Sequence, residues 1–497
     1  MINLDSNIVA VSLPSIARSL KADFAGIEWV ISAYTLTFAS LVLPAGALAD
    51  RYGRKRMLVI GLGIFTFASV VCGAAPNVGV LNAARAVQGV GAAIQLSAAL
   101  ATLSHVFRGP ARARAFAFWG SVIGIAISLG PIAGGVITQV AGWEWAFYVN
   151  VPVGAVMIAM TLYAVEESCD PDAKRMDILG FITFSAALSL ITLALISGNR
   201  HGWTSGDVLL EAGSSVMLFA GFLAAESMQE RPMLDLALFR RRTYLGANIA
   251  ALAFAMALLT MLTYLPIYFQ SGLGYGPQAA GLLMLPMAVP LFLVPRIVAA
   301  ALTHRLSGRA LLTMGLGLVA LGLLWMAFEA NRFDYRAMLG GMLIAGTGAG
   351  ILNGETAKVG MTVVTPERAG MASGVAGTVR FSGIVIGFAA LGAILFSRVS
   401  ASVFGALRDA PQVARLSLVR RVMAGDLTGA YDGVAPNAVL HDLASRSFGA
   451  GYQAILLVAS AIAAIAAILS WLLVGSAETA PVQRFIRDSM PEQMPVE

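Results

Sequence analysis

The chain has 497 residues, 58% of them hydrophobic and only 12% charged, with a formal net charge of +6 and a mean hydropathy of +0.79. Soluble domains carry about 25% charged residues, so this composition excludes a water-soluble globule and turns the surplus apolar area toward lipid. The basic excess in such a chain reports topology before it reports nucleic acid, and two cysteines with four scattered histidines give neither a disulfide framework nor metal-ligand spacing.

Long apolar stretches without period-two alternation predict helices, not a β-barrel. With about 20 apolar residues needed per crossing, the expected spans lie near 2–20, 27–49, 57–75, 79–104, 115–137, 145–165, 177–198, 207–226, 244–270, 278–302, 309–329, 336–359, 370–397 and 450–475. These are fourteen transmembrane helices in an all-α membrane protein. One set of short loops holds Arg51, Arg54, Lys55, Arg56, Arg240, Arg241, Arg242, Arg305 and Arg309 and should be cytoplasmic; an even span number then puts both termini there. No basic n-region or clean h-region marks a cleavable signal peptide.

The first span opens MINLDSNIVAVSLP and places Asp5 among apolar residues. An ionised carboxylate at membrane depth is costly and usually faces a cavity. Burial disfavours its charged form, which would let Asp5 exchange protons. Alternatively, Asp5 sits in a cytoplasmic first turn, where an acid merely suits the helix dipole. The span offers about 16 apolar residues, about 24 Å, which is short for a crossing and suggests a start codon further upstream.

The next loop reads GALADRYGRKR, with Asp50 at a helix end among Arg51, Arg54, Lys55 and Arg56. Span four, LNAARAVQGVGAA, carries Arg85 with Gln88 one turn on. A guanidinium stays charged at working pH, so Arg85 would stabilise a carboxylate or an anionic substrate group, or else snorkel to the outer surface. Span five, WGSVIGIAISLGPIAGG, sets Gly120, Gly124 and Ser128 on one stripe that admits a close helix. Pro131 there favours a kink.

An internal repeat follows. GALADRYGRKRMLVIGLG from Gly46 overlays AALTHRLSGRALLTMGLG from Ala300 without a gap, so Leu48 meets Leu302, Arg51 meets Arg305 and Gly61 meets Gly315. GVGAA from Gly89 then falls near GTGAG from Gly346. The shift is eight helices, which predicts two six-helix bundles, residues 1–165 and 243–476, with a linker and two added helices in 166–242. Parallel halves of this kind hold their site between them at mid-depth. In the second half Glu355 and Lys358 stand i, i+3 and can neutralise each other, and Arg380 follows. Residues 398–448 form a basic stretch that parity places outside, and 477–497 form a cytoplasmic tail.

The quoted loop resembles the cytoplasmic signature of the major facilitator superfamily. LDSNIVAVSLP, GPIAGG and GWEWAFYVNVP resemble its fourteen-span drug:proton antiporter family. That resemblance implies proton coupling by Asp5 and Arg85. It implies a cytoplasmic latch of Gly46, Asp50, Arg51, Gly53 and Arg54, with Arg112, Arg114 and the helix start near Gly370 as partners. It implies an antiporter hinge of Gly120, Gly124, Gly130, Pro131, Gly134 and Gly135, and an Arg at position 380. His304 occupies the second copy's Asp50 position, so the latch would be asymmetric.

The expected function is a proton-driven exporter of amphipathic or cationic toxic compounds in a bacterial inner membrane, working by alternating access. The alternative is an exporter of one endogenous metabolite, such as a siderophore, antibiotic or sugar. No G-x-x-x-x-G-K-[ST] is present to bind ATP. An enzyme would need a cluster of His, acids or a nucleophile at one membrane face. The expected partners are a small molecule, protons, the bilayer and a periplasmic adaptor, with no nucleic acid, cofactor or metal, and the expected state is a monomer.

Overall fold

The computed structural model describes residues 1–107, 109–169, 177–229, 234, 236–364, 369–428 and 438–480, and among them every regular element is helical. Leaving aside the single turn Leu236–Phe239, they are in chain order α1 (Ile2–Ser19), α2 (Phe24–Tyr52), α3 (Arg54–Gly73), α4 (Val78–Val106), α5 (Gly109–Ala141) and α6 (Trp145–Ala164). Then come α7 (Ile178–His201), α8 (Gly206–Met228), α9 (Arg242–Gly272), α10 (residues 277–302), α11 (Gly308–Arg332) and α12 (Tyr335–Met361). The last three are α13 (Ala369–Ala406), α14 (Gln412–Met423) and α15 (Ala438–Leu473).

Thirteen of these helices, all but α1 and α14, are long and apolar enough to cross a membrane. The expected count of fourteen is reached only with α1. That helix has 18 residues, and Asn3, Asp5, Ser6 and Asn7 in its first turns lower its apolarity. Short polar side chains start several helices by accepting the orphan amides of the first turn. Asp23 does so for α2, Asn77 for α4 and Ser307 for α11.

Within the first six helices α4 packs on α2 and α3, and α1 lies along α5. In the later set α12 packs on α9, α10 and α11, and α15 on α9, α11 and α13. The two sets meet where α2 runs along α13, α5 along α10, and α1 crosses α9. Helices α7 and α8 pair with each other, and α7 leans on both α2 and α13. The sequence repeat therefore has a packing counterpart. Gly61 and Gly91 let α3 and α4 cross backbone to backbone, and Gly315 and Gly348 do the same for α11 and α12.

The end of the bundle away from Asp50 is closed. Ser12 and Thr138 share a 2.7 Å hydrogen bond, Gln270 donates to the Val11 carbonyl at 2.8 Å, and Tyr268, Phe448 and Tyr452 stack beneath α14. The basic stretch 398–448 thus lies, where described, opposite the Asp50 loop. At the Asp50 end the Gly308 amide donates to Thr479 at 2.9 Å.

A Cβ on Gly91 would stand 2.5 Å from the Phe65 amide nitrogen and 2.9 Å from the Gly61 oxygen. Gly91→Leu should therefore cost about 1–3 kcal/mol through overpacking, read as a lower melting temperature in detergent. Gly63→Ala, which meets open space, should melt like the parent. Equal melting of all three would show that the crossing is not tight.

Candidate functional site

The first two turns of α1 carry the polar face, and burying it needs partners from neighbouring helices. Asp5 is completely buried, so it does not occupy an exposed first turn. Its Oδ2 accepts from Arg85 Nη1 at 2.7 Å, and its Oδ1 accepts from Gln88 Nε2 at 3.1 Å and from Asn150 Nδ2 at 2.8 Å. Arg85 is equally buried and does not snorkel to a surface. Its Nε donates to the Val30 carbonyl on α2 at 3.0 Å, and its head group lies 4.1 Å from the Tyr34 ring centroid. Gln88 also donates to Ser69 on α3 at 2.8 Å. One carboxylate thus ties α1 to α4 and α6 directly, and to α2 and α3 through its partners.

Beside this network lies a cavity of about 70 Å³ between the two helix sets, lined by Asn3, Ser6, Asn7 and Arg85 on one side and Thr263 and Arg380 on the other. Helix α9 has a π-helical turn, Ala255–Leu259, where it faces this space. Such bulges often mark functional positions. Arg380 donates to Asn353 at 3.2 Å. Glu355 and Lys358 pair with each other at 3.2 Å, as their i, i+3 spacing predicted, and of the three second-half polar candidates only Arg380 lines the cavity.

The glycines of α5 serve a three-helix junction. A Cβ on Gly134 would meet the Ile8 backbone of α1, one on Gly130 would meet Asn7, and one on Gly135 would meet Pro277 and Gln278 of α10. Gly281 of α10 returns the contact against Pro131, and Gly124 faces Phe292 at 3.7 Å. Helix α5 runs unbroken through Pro131. Of Gly120 only the helical placement is described.

In the loop, Asp50 accepts from Arg54 Nη2 at 2.7 Å, within its own turn. Gly53 has φ +104°, a region that disfavours a side chain, and a Cβ there would strike Glu167. Glu167 caps α3 by accepting from the amides of Lys55 and Arg56, both at 3.1 Å. Arg51 stacks on Tyr52, and no atom comes within 4 Å of a Cβ built on Gly46. The side chains of Arg112 and Arg114 and of position 370 lie outside the described residues.

Three polar residues had no role from sequence alone. Asn150 sits inside the quoted FYVNVP stretch, whose family likeness carried no role for it. Glu167 gave no signal beyond its charge. Glu28, 2% exposed where α2 meets Gly392 of α13, was legible as an acid inside a span. Among the described residues no group of His, Cys, Asp and Glu could hold a metal ion.

Comparison with known proteins follows the same lines. A family model for the Major Facilitator Superfamily matches residues 1–388. Multidrug resistance protein Stp of Mycobacterium tuberculosis is 34% identical over 480 residues, covering 95% of this chain and 89% of that one. A methylenomycin A resistance protein of Streptomyces coelicolor is 35% identical over 401 residues, covering 80% and 83%. Among solved structures, a bacterial homologue of the human lysosomal transporter Spinster, inward-facing and unoccupied, aligns with a TM-score of 0.61 at 15% identity, over 96% of this chain and 94% of that one.

Removing one partner of a buried ion pair strands the other, which costs about 3–5 kcal/mol. Arg85→Gln should therefore destabilise the protein by that order, and the double variant Asp5→Asn with Arg85→Gln should recover part of the loss. The check is a double-mutant cycle of unfolding in detergent; additive losses would show that the two side chains are not coupled.

Proposed function

The chain belongs to the Major Facilitator Superfamily, and from that premise we propose that it is a proton-coupled antiporter exporting amphipathic toxic compounds across a bacterial inner membrane. The family's members are transporters rather than enzymes. The observation that carries this reading is the fully buried Asp5–Arg85 contact, 2.7 Å long, beside a cavity between two helix sets. The names of the relatives, multidrug and antibiotic resistance proteins, support export. A relative named for resistance to one antibiotic supports a narrower variant, in which a single metabolite is carried.

In this mechanism the Asp50 end faces the cytoplasm, as the positive-inside rule requires. Residues 1–165 and 243–476 rock about the α1–α5–α10 junction, where glycines let backbones slide without interlocking side chains. With Asp5 ionised, three N–H donors hold α1 against α4 and α6. A proton arriving from outside neutralises the carboxylate and weakens its charge-assisted bond to Arg85. The first helices lose their common anchor, and the balance between the two tilts shifts. Release of that proton to the cytoplasm restores the pair. Substrate leaves in the opposite direction because the two halves expose one central cavity to one side at a time.

The Asp50 loop acts as the gate on the cytoplasmic face, with Asp50, Arg51, Gly53 and Arg54 held in register by Glu167. When that face closes, Asp50 exchanges Arg54 for partners on the other half, with Arg112, Arg114 and the start of α13 as the candidates.

Two outcomes are expected. Asp5→Asn in proteoliposomes should abolish substrate movement driven by a pH gradient, and substrate binding in detergent should lose its dependence on pH; full proton-driven transport by this variant would refute the role of Asp5. Asp50→Ala should be made at near-parental levels and transport more slowly, and an unimpaired rate would remove the gate from the mechanism.

A further inference from the structure

The wall of the central cavity carries its own chemical preference. Arg85 on α4 and Arg380 on α13 both line it, and no carboxylate does among the described residues. Asp5 stands behind Arg85 and is already engaged, bonded to Nη1. Arg85 Nε is taken by the Val30 carbonyl, which leaves Nη2 fully buried with no hydrogen-bond partner. An unsatisfied buried donor is unfavourable, and an incoming oxygen would relieve it. Arg380 spends one donor on Asn353; a guanidinium has five. Asn3, Ser6 and Asn7 add short polar groups on the α1 side, and Ile127, Leu259, Leu262 and Phe381 supply apolar wall.

We infer that the transported molecule is an amphiphile that presents a hydrogen-bond-accepting oxygen, neutral or anionic, to Arg85 and Arg380, and that it carries no fixed positive charge. This deepens the export reading and rests on it. A cationic substrate, expected as an alternative from sequence, would enter a low-dielectric space facing two guanidiniums, where like charges repel strongly, with the nearest carboxylate already committed. The cavity as it stands, about 70 Å³, holds one functional group or a few waters. The apolar body of the substrate therefore requires the halves to part.

The same geometry gives the coupling its sign. Ionised Asp5 holds Arg85 by Nη1, from which Gln88 Oε1 also accepts at 2.6 Å, and so fixes the guanidinium whose Nη2 is left without a partner. A protonated Asp5 weakens its hold on the guanidinium, which Gln88 and the Val30 carbonyl alone then position, and the donor left for substrate is less firmly placed. Proton and substrate then oppose each other without sharing an atom. The extra positive charge on release would favour an anion, so a neutral oxygen is the more tightly coupled ligand. The titratable groups around the pair are the Met1 amine on α1, Tyr34 on α2 and Cys72 on α3.

Three probes of one shape test the inference: naphthoate, methyl naphthoate and naphthyltrimethylammonium, titrated calorimetrically into the purified full chain. Naphthoate and its ester should bind and compete with each other, and the ammonium should not bind. Arg380→Gln should weaken both bound probes by about tenfold or more, the loss of a charge-assisted bond, with an unchanged melting temperature. Ammonium binding as tight as the others, an Arg380→Gln variant that binds normally, or no binding by any probe would overturn the inference. In proteoliposomes, proton-driven export of the ammonium alone would overturn the substrate class and leave the exporter standing. Proton movement linked to none of the three would overturn the export reading itself.

Discussion

Two opposite charges meet at 2.7 Å with neither side chain exposed to solvent, and five of the first six helices are tied together through that contact and its partners. Taking a carboxylate and a guanidinium out of water costs several kcal/mol per ion, repaid only when geometry is good and the remaining lone pairs are filled. Here they are filled from separate helices: Gln88 on α4, Asn150 on α6 and the Val30 carbonyl on α2. A pair built this way is a conditional cross-link. It holds while the carboxylate is charged and weakens when it is not, which is the property that a proton-driven machine requires of one of its joints.

The joint matters because of where it stands. Residues Asn7 and Ile8, immediately after Asp5, lie against Gly130 and Gly134 of α5, and α5 in turn touches α10 through Gly135 and Gly281. The charged network and the seam between helix sets thus share one short stretch of α1. In the proposed mechanism a change of charge at Asp5 would be felt within a turn of the contact between the helix sets. The cavity opens on the same stretch, so the buried ion pair, the cavity and that contact adjoin one another.

Much of this was legible in the residues. The repeat of Gly61 and Gly91 in Gly315 and Gly348 was visible as spacing, and the structure gives its cause: four glycines at which two helix pairs cross without side chains between them. The fold and the membership in the Major Facilitator Superfamily followed from pattern alone. Asp5 and Arg85 announced themselves as charges in apolar surroundings. The pairing between them, 80 positions apart, was one of several roles the sequence left open for Arg85, since nothing local records which helices touch. Asn150 was readable as a motif member without a role, because an amide's purpose depends on what stands opposite. The i, i+3 spacing of Glu355 and Lys358 foretold their pairing, whereas spacing could not say that Arg380 alone of the three lines the cavity, which depends on helix rotation.

The most direct test follows the carboxyl group of Asp5 itself. Infrared difference spectra of the purified protein, taken across an acid–base titration, should contain a protonated-carboxyl band that grows on acidification and is missing from Asp5→Asn. Spin labels on α2 and α13 should report a change in the distance between the halves over the same pH interval. A titrating band that persists in Asp5→Asn, or helices that move with no change at this carboxyl, would contradict the assignment of proton coupling to Asp5.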